Sequence, residues 1–292
     1  MASASVMKPS VSLVGAGTQG RRLAYMWSTQ GHDVHLIDSV PRQLENSIAY
    51  IEGLRQADSK PLVAPGRILT HGIDGLGAVL QDSWLVVECV PERLALKRQV
   101  ISEIEAAAPQ DTIVASNSSS FTISEIIQGL RLQDDSRVLS AHSYWPPETN
   151  VIEIMGHSRT DARHIVTLLE QCRQHGFQPF HVKRDSVGYI YNRIWAAIKR
   201  EALMVAAEGA ASPQEVDDIF KSVLKTPKGP FEQMDVVGLD VVLDIEEHYA
   251  QARSGLPTVP REYLKGLISE GKLGEKNGRG FYDYSDQKGT GL

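Results

Sequence analysis

Short apolar runs broken by glycine, proline and polar clusters set the rhythm of the amino-terminal part of the chain. Residues 11–14 (VSLV) lead straight into Gly15, Gly17 and Gly20, which predicts a buried strand, a tight turn and then a helix. A second strand is expected over 33–37, ending on Asp38. An amphipathic helix should follow over 41–55, where Leu44, Ile48, Ile51 and Leu54 recur at spacings of three and four. The proline-containing stretch 57–66 reads as a loop, and 68–70 as a third strand. Residues 84–90 (WLVVECV) form a continuous apolar run of the kind that fills a parallel sheet covered on both faces. A helix with Leu96, Val100, Ile101 and Ile104 inward should follow, stopped by Pro109. Strand 112–116 then opens into the polar run Asn117, Ser118, Ser119 and Ser120. Thr122 with Glu125 makes a capping box for a helix over 123–130. Strands over 138–142 and 151–155 flank a turn at Pro146 and Pro147.

Beyond Val187 the period changes from strand to helix. Ile190, Ile194, Ala197, Ile198, Ala202 and Val205 predict one long helix within 187–210. Ser212, Pro213 and Glu215 cap another, and further helices are expected over 236–249 and 261–270. The alternation of strand and helix implies a doubly wound α/β sheet over 1–186, with an all-helical domain over 187–292. In such sheets ligands bind at the carboxyl ends of the strands. Asp38, the 116–120 run and His142 all fall at such ends.

Composition narrows the class. A chain of 292 residues, 42% hydrophobic, can bury a sizeable core in two domains. A formal net charge of −6 without a basic run argues against nucleic acid as a partner. Cys89 and Cys172 lie in apolar stretches without metal-ligand or disulfide spacing, so no metal site is expected and a reducing compartment fits. No apolar run approaches membrane-spanning length and the first residues lack a signal-peptide core, so a cytoplasmic location and no membrane association are expected.

The glycine segment carries the first candidate chemistry. Gly15 permits the turn, Gly17 lets a pyrophosphate approach bare backbone, and Gly20 lets helix and sheet pack closely; Ala16, Thr18 and Gln19 complete the loop. Phosphates would meet free N–H groups at the helix start. Asp38 can accept hydrogen bonds from both ribose hydroxyls of an adenosine and would repel a 2′-phosphate, so NAD is expected over NADP, with Arg42 a partial counterweight. Asp38 could instead simply cap the helix that begins at Pro41.

The second candidate is His142, with Glu153 eleven positions later on the expected neighbouring strand. A carboxylate that orients one imidazole nitrogen leaves the other free to exchange protons, as oxidation of an alcohol with NAD requires. A structural histidine is the plainer alternative. The serine run could likewise only cap the helix at Ile123, and Asn192 could be a satisfied helical amide.

GAGTQG (15–20), SNSSS (116–120), His142 with Glu153, DSVGYIYNR (185–193), GPFEQMDVVGLD (229–240) and GRGFYDY (278–284), in this order along nearly the whole chain, resemble the 3-hydroxyacyl-CoA dehydrogenase family. The resemblance implies a Rossmann-type domain followed by a helical domain that dimerises, and oxidation of L-3-hydroxyacyl thioesters by NAD. It also implies residue roles. His142 is similar to the catalytic base and Glu153 to its partner carboxylate. Ser119 is similar to the serine that contacts substrate oxygen and nicotinamide, and Asn192 to the asparagine that holds substrate. Glu92 and Lys97 are similar to a glutamate and lysine near the cofactor; otherwise they read as solvated charges on a helix.

Two stretches depart from the family pattern. In its HFFNP-like segment the family has asparagine three residues after the histidine, where this chain has Trp145, and the turn before Glu153 is one residue shorter. After the second strand the family carries a longer hairpin whose serine and lysine contact CoA. Here the region is shortened over 57–66, Leu54 stands in the serine's place, and Lys60 is the candidate for the lysine. A non-CoA β-hydroxy or β-keto substrate, as in the similar lambda-crystallin or L-gulonate 3-dehydrogenase branch, therefore stays open. So does a non-catalytic, crystallin-like NAD-binding protein.

Overall fold

The computed structural model describes residues 10–57 and 63–285. The candidate Lys60 lies outside the described residues. The chain divides into two compact units, Met1–Tyr189 and Ile190–Leu292.

The first unit alternates strand and helix: β1 (Ser10–Val14), α1 (Thr18–Ser28), β2 (Val34–Ile37), α2 (Pro41–Ala57), β3 (Ile68–His71), α3 (Leu76–Val79), β4 (Ser83–Glu88), α4 (Leu94–Ala107), β5 (Ile113–Ser116), α5 (Ile123–Ile127), β6 (Val138–Trp145), β7 (Thr149–Gly156), α6 (Ala162–Gln174) and β8 (Gln178–Val182). One eight-stranded sheet has the order β3-β2-β1-β4-β5-β6-β7-β8. It is parallel except for the antiparallel β6–β7 pair. Strand alternation divides its side chains between two cores. Val11, Leu13, Val34, Leu36, Leu85 and Val87 pack with Leu23 and Trp27 of α1 and Leu168 of α6. Val14, Ile37, Val86 and Val114 face the other way, toward Val100, Ile101 and Ile104 of α4. The doubly wound sheet read from the sequence is the observed one.

The second unit is helical: α7 (Tyr191–Ala207), α8 (Pro213–Leu224), α9 (Pro230–Val237), α10 (Leu239–Ala252) and α11 (Val259–Ser269). Leu203, Phe231, Met234, Leu239, Val242 and Leu264 form its core.

Both capping boxes occur as expected, at Thr122 with Glu125 and at Ser212 with Glu215. Three expectations are corrected. The long helix starts at Tyr191 rather than Val187, because Gly188 and Tyr189 hold positive φ values of 78° and 53°. The helix expected over 236–249 is two helices, since Gly238, at φ 100°, ends α9 and begins α10. The strand–turn unit at 138–155 is longer than expected: β6 continues to Trp145 and β7 begins at Thr149.

Candidate active site

The glycine loop joins β1 to α1. Gly15 has φ 108°, and a Cβ there would lie 2.7 Å from the Cys89 carbonyl carbon; a Cβ on Gly20 would lie 1.8 Å from the Gly15 oxygen. Loop, β4 and α1 therefore touch through bare backbone. No side chain caps α1 at Gly17, and nothing stands within 4 Å of the place its Cβ would take. The first-turn N–H groups of α1 are thus left for an anion, which is what a pyrophosphate needs. Thr18 is exposed, while Gln19 donates from Nε2 to the Tyr144 carbonyl at 2.7 Å, tying the loop to β6. Asp38 ends β2 half-buried, accepting from the Ala16 N–H at 2.7 Å and the Val40 N–H at 2.8 Å. It is thus part of the loop's own scaffold, with oxygens that can still accept from hydroxyls. These residues fit an NAD dinucleotide: Gly15 to Gly20 would hold its phosphates and Asp38 its adenosine ribose.

At the ends of β4 and β5 the charges are organised rather than solvated. Lys97 is 1% exposed, 2.9 Å from Glu88 and 3.2 Å from Glu92. Burial alone would lower its pKa, but the two carboxylates outweigh that and hold the ammonium above its ordinary value. Glu88 is held above the usual carboxylate range by burial, although Lys97 and the Ser116 hydroxyl oppose it. Glu92 falls below that range, because Lys97, Ser118 and the Ser120 N–H together outweigh its burial. Through Ser118 (2.5 Å) and the Ser120 N–H (2.8 Å), Glu92 braces the serine loop. Ser119, between them, is exposed. For Lys97 the solvated-face reading is corrected: its ammonium is buried between Glu88 and Glu92.

The β6–β7 register places His142 directly opposite Glu153. Both are buried, at 5% and 2% exposure. Nδ1 of His142 lies 3.8 Å from Oε2 of Glu153, which is ion-pair range and too long for a hydrogen bond. Two tyrosines that sequence reasoning missed complete the surroundings. The Tyr144 ring meets the imidazole edge-on at 4.7 Å and its hydroxyl donates to Glu153 Oε2 at 2.5 Å. The Tyr189 ring stacks on the imidazole at 4.8 Å and its hydroxyl donates to the Ser118 carbonyl at 2.7 Å. Period-two alternation from His142 could have flagged Tyr144; Tyr189 lies within the family-like run 185–193, whose spacing does not reveal its contact with His142. Asn117 accepts from the Ser143 N–H and hydroxyl, fixing β5 to β6.

Trp145, where the family has asparagine, is 54% exposed, with the Arg22 guanidinium 5.2 Å from its ring centre. Arg22 also donates to the Pro146 carbonyl and to Glu148.

Asn192 belongs to the second unit, half-buried in the first turn of α7. The motifs 229–240 and 278–284 are architectural there. Asp217 accepts from the Phe231 and Glu232 N–H groups and from Tyr282, and Asp235 from the Phe281 and Tyr282 N–H groups and from Tyr284.

A dinucleotide loop at the switch point of a doubly wound sheet, with a buried histidine and carboxylate on adjacent strands, defines a dehydrogenase-type architecture. Residues 10–186 match the family profile of the 3-hydroxyacyl-CoA dehydrogenase NAD binding domain, and residues 188–284 that of the 3-hydroxyacyl-CoA dehydrogenase C-terminal domain. The chain belongs to the 3-hydroxyacyl-CoA dehydrogenase family and is an NAD-dependent oxidoreductase. It is 30% identical over 287 residues to the mitochondrial hydroxyacyl-coenzyme A dehydrogenase of Rattus norvegicus, covering 94% of this chain and 90% of that one. A 3-hydroxyacyl-CoA dehydrogenase-like protein of Cochliobolus heterostrophus is 42% identical over 149 residues, half of this chain and 31% of that protein. Among solved structures, the (S)-3-hydroxybutyryl-CoA dehydrogenase of Ralstonia eutropha aligns with a TM-score of 0.84 at 26% identity, covering 95% of this chain and 99% of that one. A diketoreductase aligns with a TM-score of 0.75 at 28% identity, covering 94% and 98%.

Proposed function

We propose that the protein interconverts a 3-hydroxyacyl and a 3-oxoacyl group, with His142 as acid/base and Glu153 as its charge partner. The observation that carries this reading is the cross-strand placement of a buried imidazole 3.8 Å from a buried carboxylate. When bound, NAD supplies the hydride acceptor. In the oxidative direction Nε2 of His142 takes the substrate hydroxyl proton; in the reductive direction the imidazolium returns it to the carbonyl oxygen. The imidazolium formed in between stands against Glu153. Unit charges about 4 Å apart attract by roughly 4 kcal/mol at an effective dielectric of about 20. Ser119 and Asn192 are assigned to substrate contact, and Glu92 and Lys97 to shaping the cofactor side of the serine loop.

The substrate's carrier is the finer question. The family reading implies a CoA thioester. Leu54 in place of the expected serine, and Trp145 in place of asparagine, favour a second reading: a β-keto substrate without CoA. The similarity to a diketoreductase described as acting on dicarbonyl compounds supports it. NADH consumption with acetoacetyl-CoA, with its free acid and with an N-acetylcysteamine thioester separates the two. Turnover confined to the CoA ester supports the first reading; equal or better turnover of the small substrates supports the second. NADH binding without turnover of any of them would contradict both.

We also assign a homodimer to the second unit, whose Ile194, Ile219, Val223, Leu224 and Val237 are 48–70% exposed. Apolar side chains grouped on one helical unit call for a covering surface. Sedimentation at micromolar concentration should give twice the chain mass, and a strictly monomeric mass would contradict the assignment.

A further inference from the structure

Tyr144 follows His142 by two residues on β6, so strand alternation returns its side chain to the same region. Its hydroxyl donates at 2.5 Å to Oε2 of Glu153, the oxygen that faces Nδ1 of His142 at 3.8 Å. Nδ1 is buried, with no hydrogen-bond partner among the described residues. Phenol and imidazole therefore address one carboxylate oxygen, and the short bond goes to the phenol. The Tyr144 ring itself lies edge-on to the imidazole at 4.7 Å.

We propose that Tyr144 is a positioning residue of the acid/base pair, holding Glu153 away from His142 and weakening the imidazole as a base. This rests on the catalytic reading of His142 given above. A carboxylate whose charge is partly met by a phenolic donor offers less stabilisation to an imidazolium than an open one. The other titratable group against the ring is Tyr189, whose phenol is pushed far above its ordinary value by burial and stays neutral throughout. Glu88 and Glu92 reach the region through their charge on Tyr189. The Tyr144 hydroxyl is thus the group whose removal alters the field at His142 while the ring stays packed on it.

The test is imidazole ¹⁵N NMR titration of the full chain with NADH bound, comparing wild type with Tyr144→Phe. The His142 signal is assigned by its loss in His142→Gln. The phenylalanine variant should protonate at higher pH by about 0.4 to 1 unit, roughly a three- to tenfold tighter hold on the proton. The acid limb of oxidation and the alkaline limb of reduction should move with it. In a Glu153→Gln background the same tyrosine change should leave the titration in place, because the carboxylate that carries the effect is gone. A superimposable titration in Tyr144→Phe overturns the proposal, as does a shift that persists in the Glu153→Gln background. Wild-type turnover in His142→Gln would instead defeat the catalytic reading, while the titration still decides the role of Tyr144.

Discussion

Glu153 in the first unit and Asp235 in the second are both buried carboxylates bonded to a tyrosine hydroxyl, yet their surroundings differ in kind. Asp235 also receives two backbone N–H groups, from Phe281 and Tyr282, whose positions the chain fixes. Glu153 instead faces a titratable ring that stops short of bonding to it. Donors locked into the backbone make a clasp, because breaking it strands buried amides. A buried carboxylate beside an unbonded imidazole holds charge-stabilising capacity in reserve. One arrangement closes a fold; the other sets a carboxylate beside an unbonded imidazole.

The largest effect should come from the clasp. Asp235→Ala leaves the Phe281 and Tyr282 amides and the Tyr284 hydroxyl without their acceptor, a loss of about 3 kcal/mol or more. The thermal midpoint should fall by roughly 6 to 12 °C, while NADH affinity per folded molecule stays at the wild-type value. Unchanged stability would remove the clasp side of the comparison.

Glu153→Gln should do the reverse. It keeps the shape and an acceptor for Tyr144 but deletes the charge opposite the imidazolium, lowering turnover by roughly 10- to 100-fold, with the thermal midpoint nearly unmoved. A large drop in midpoint with normal turnover would make Glu153 a second Asp235.

A smaller effect concerns the sheet edge, where His35 Nδ1 lies 2.9 Å from His71 Nε2. Burial, followed for His35 by the neighbouring His71, holds both below the ordinary histidine value. The unfolded chain thus binds more protons than the fold once pH drops below about 6.5, so stability is full above that pH and is lost as the pH falls. Replacing both with glutamine should flatten this part of the stability curve by about 1 kcal/mol or less. An unchanged acid slope would mean the pair does not titrate as described.

Much of this was legible in the chain. The strand–glycine–helix opening, the strand alternation and both capping boxes follow from local periodicity and turn chemistry, which the tertiary structure had no reason to override. The opposition of His142 and Glu153 follows from two strands joined by a short turn. The burial of Lys97 was not legible, because Glu88 and Glu92 become its partners only when β4 and α4 meet. The break at Gly238 was hidden inside an otherwise helical pattern, where its positive φ leaves no apolar signature. Strand β8 and helix α6 gave no expectation at all: β8 is largely exposed and so lacks a buried run. The competition for one Glu153 oxygen is a matter of side-chain geometry that no spacing encodes.

One preparation of His142→Gln tests the proposed role of His142 as the proton-transfer group. Turnover on the substrate that the wild type uses best, and NADH affinity by fluorescence titration, are measured side by side. The account predicts turnover reduced by about 10² to 10⁴ with NADH affinity within about twofold of wild type, as expected when the glycine loop is untouched. Wild-type turnover in that variant would contradict it.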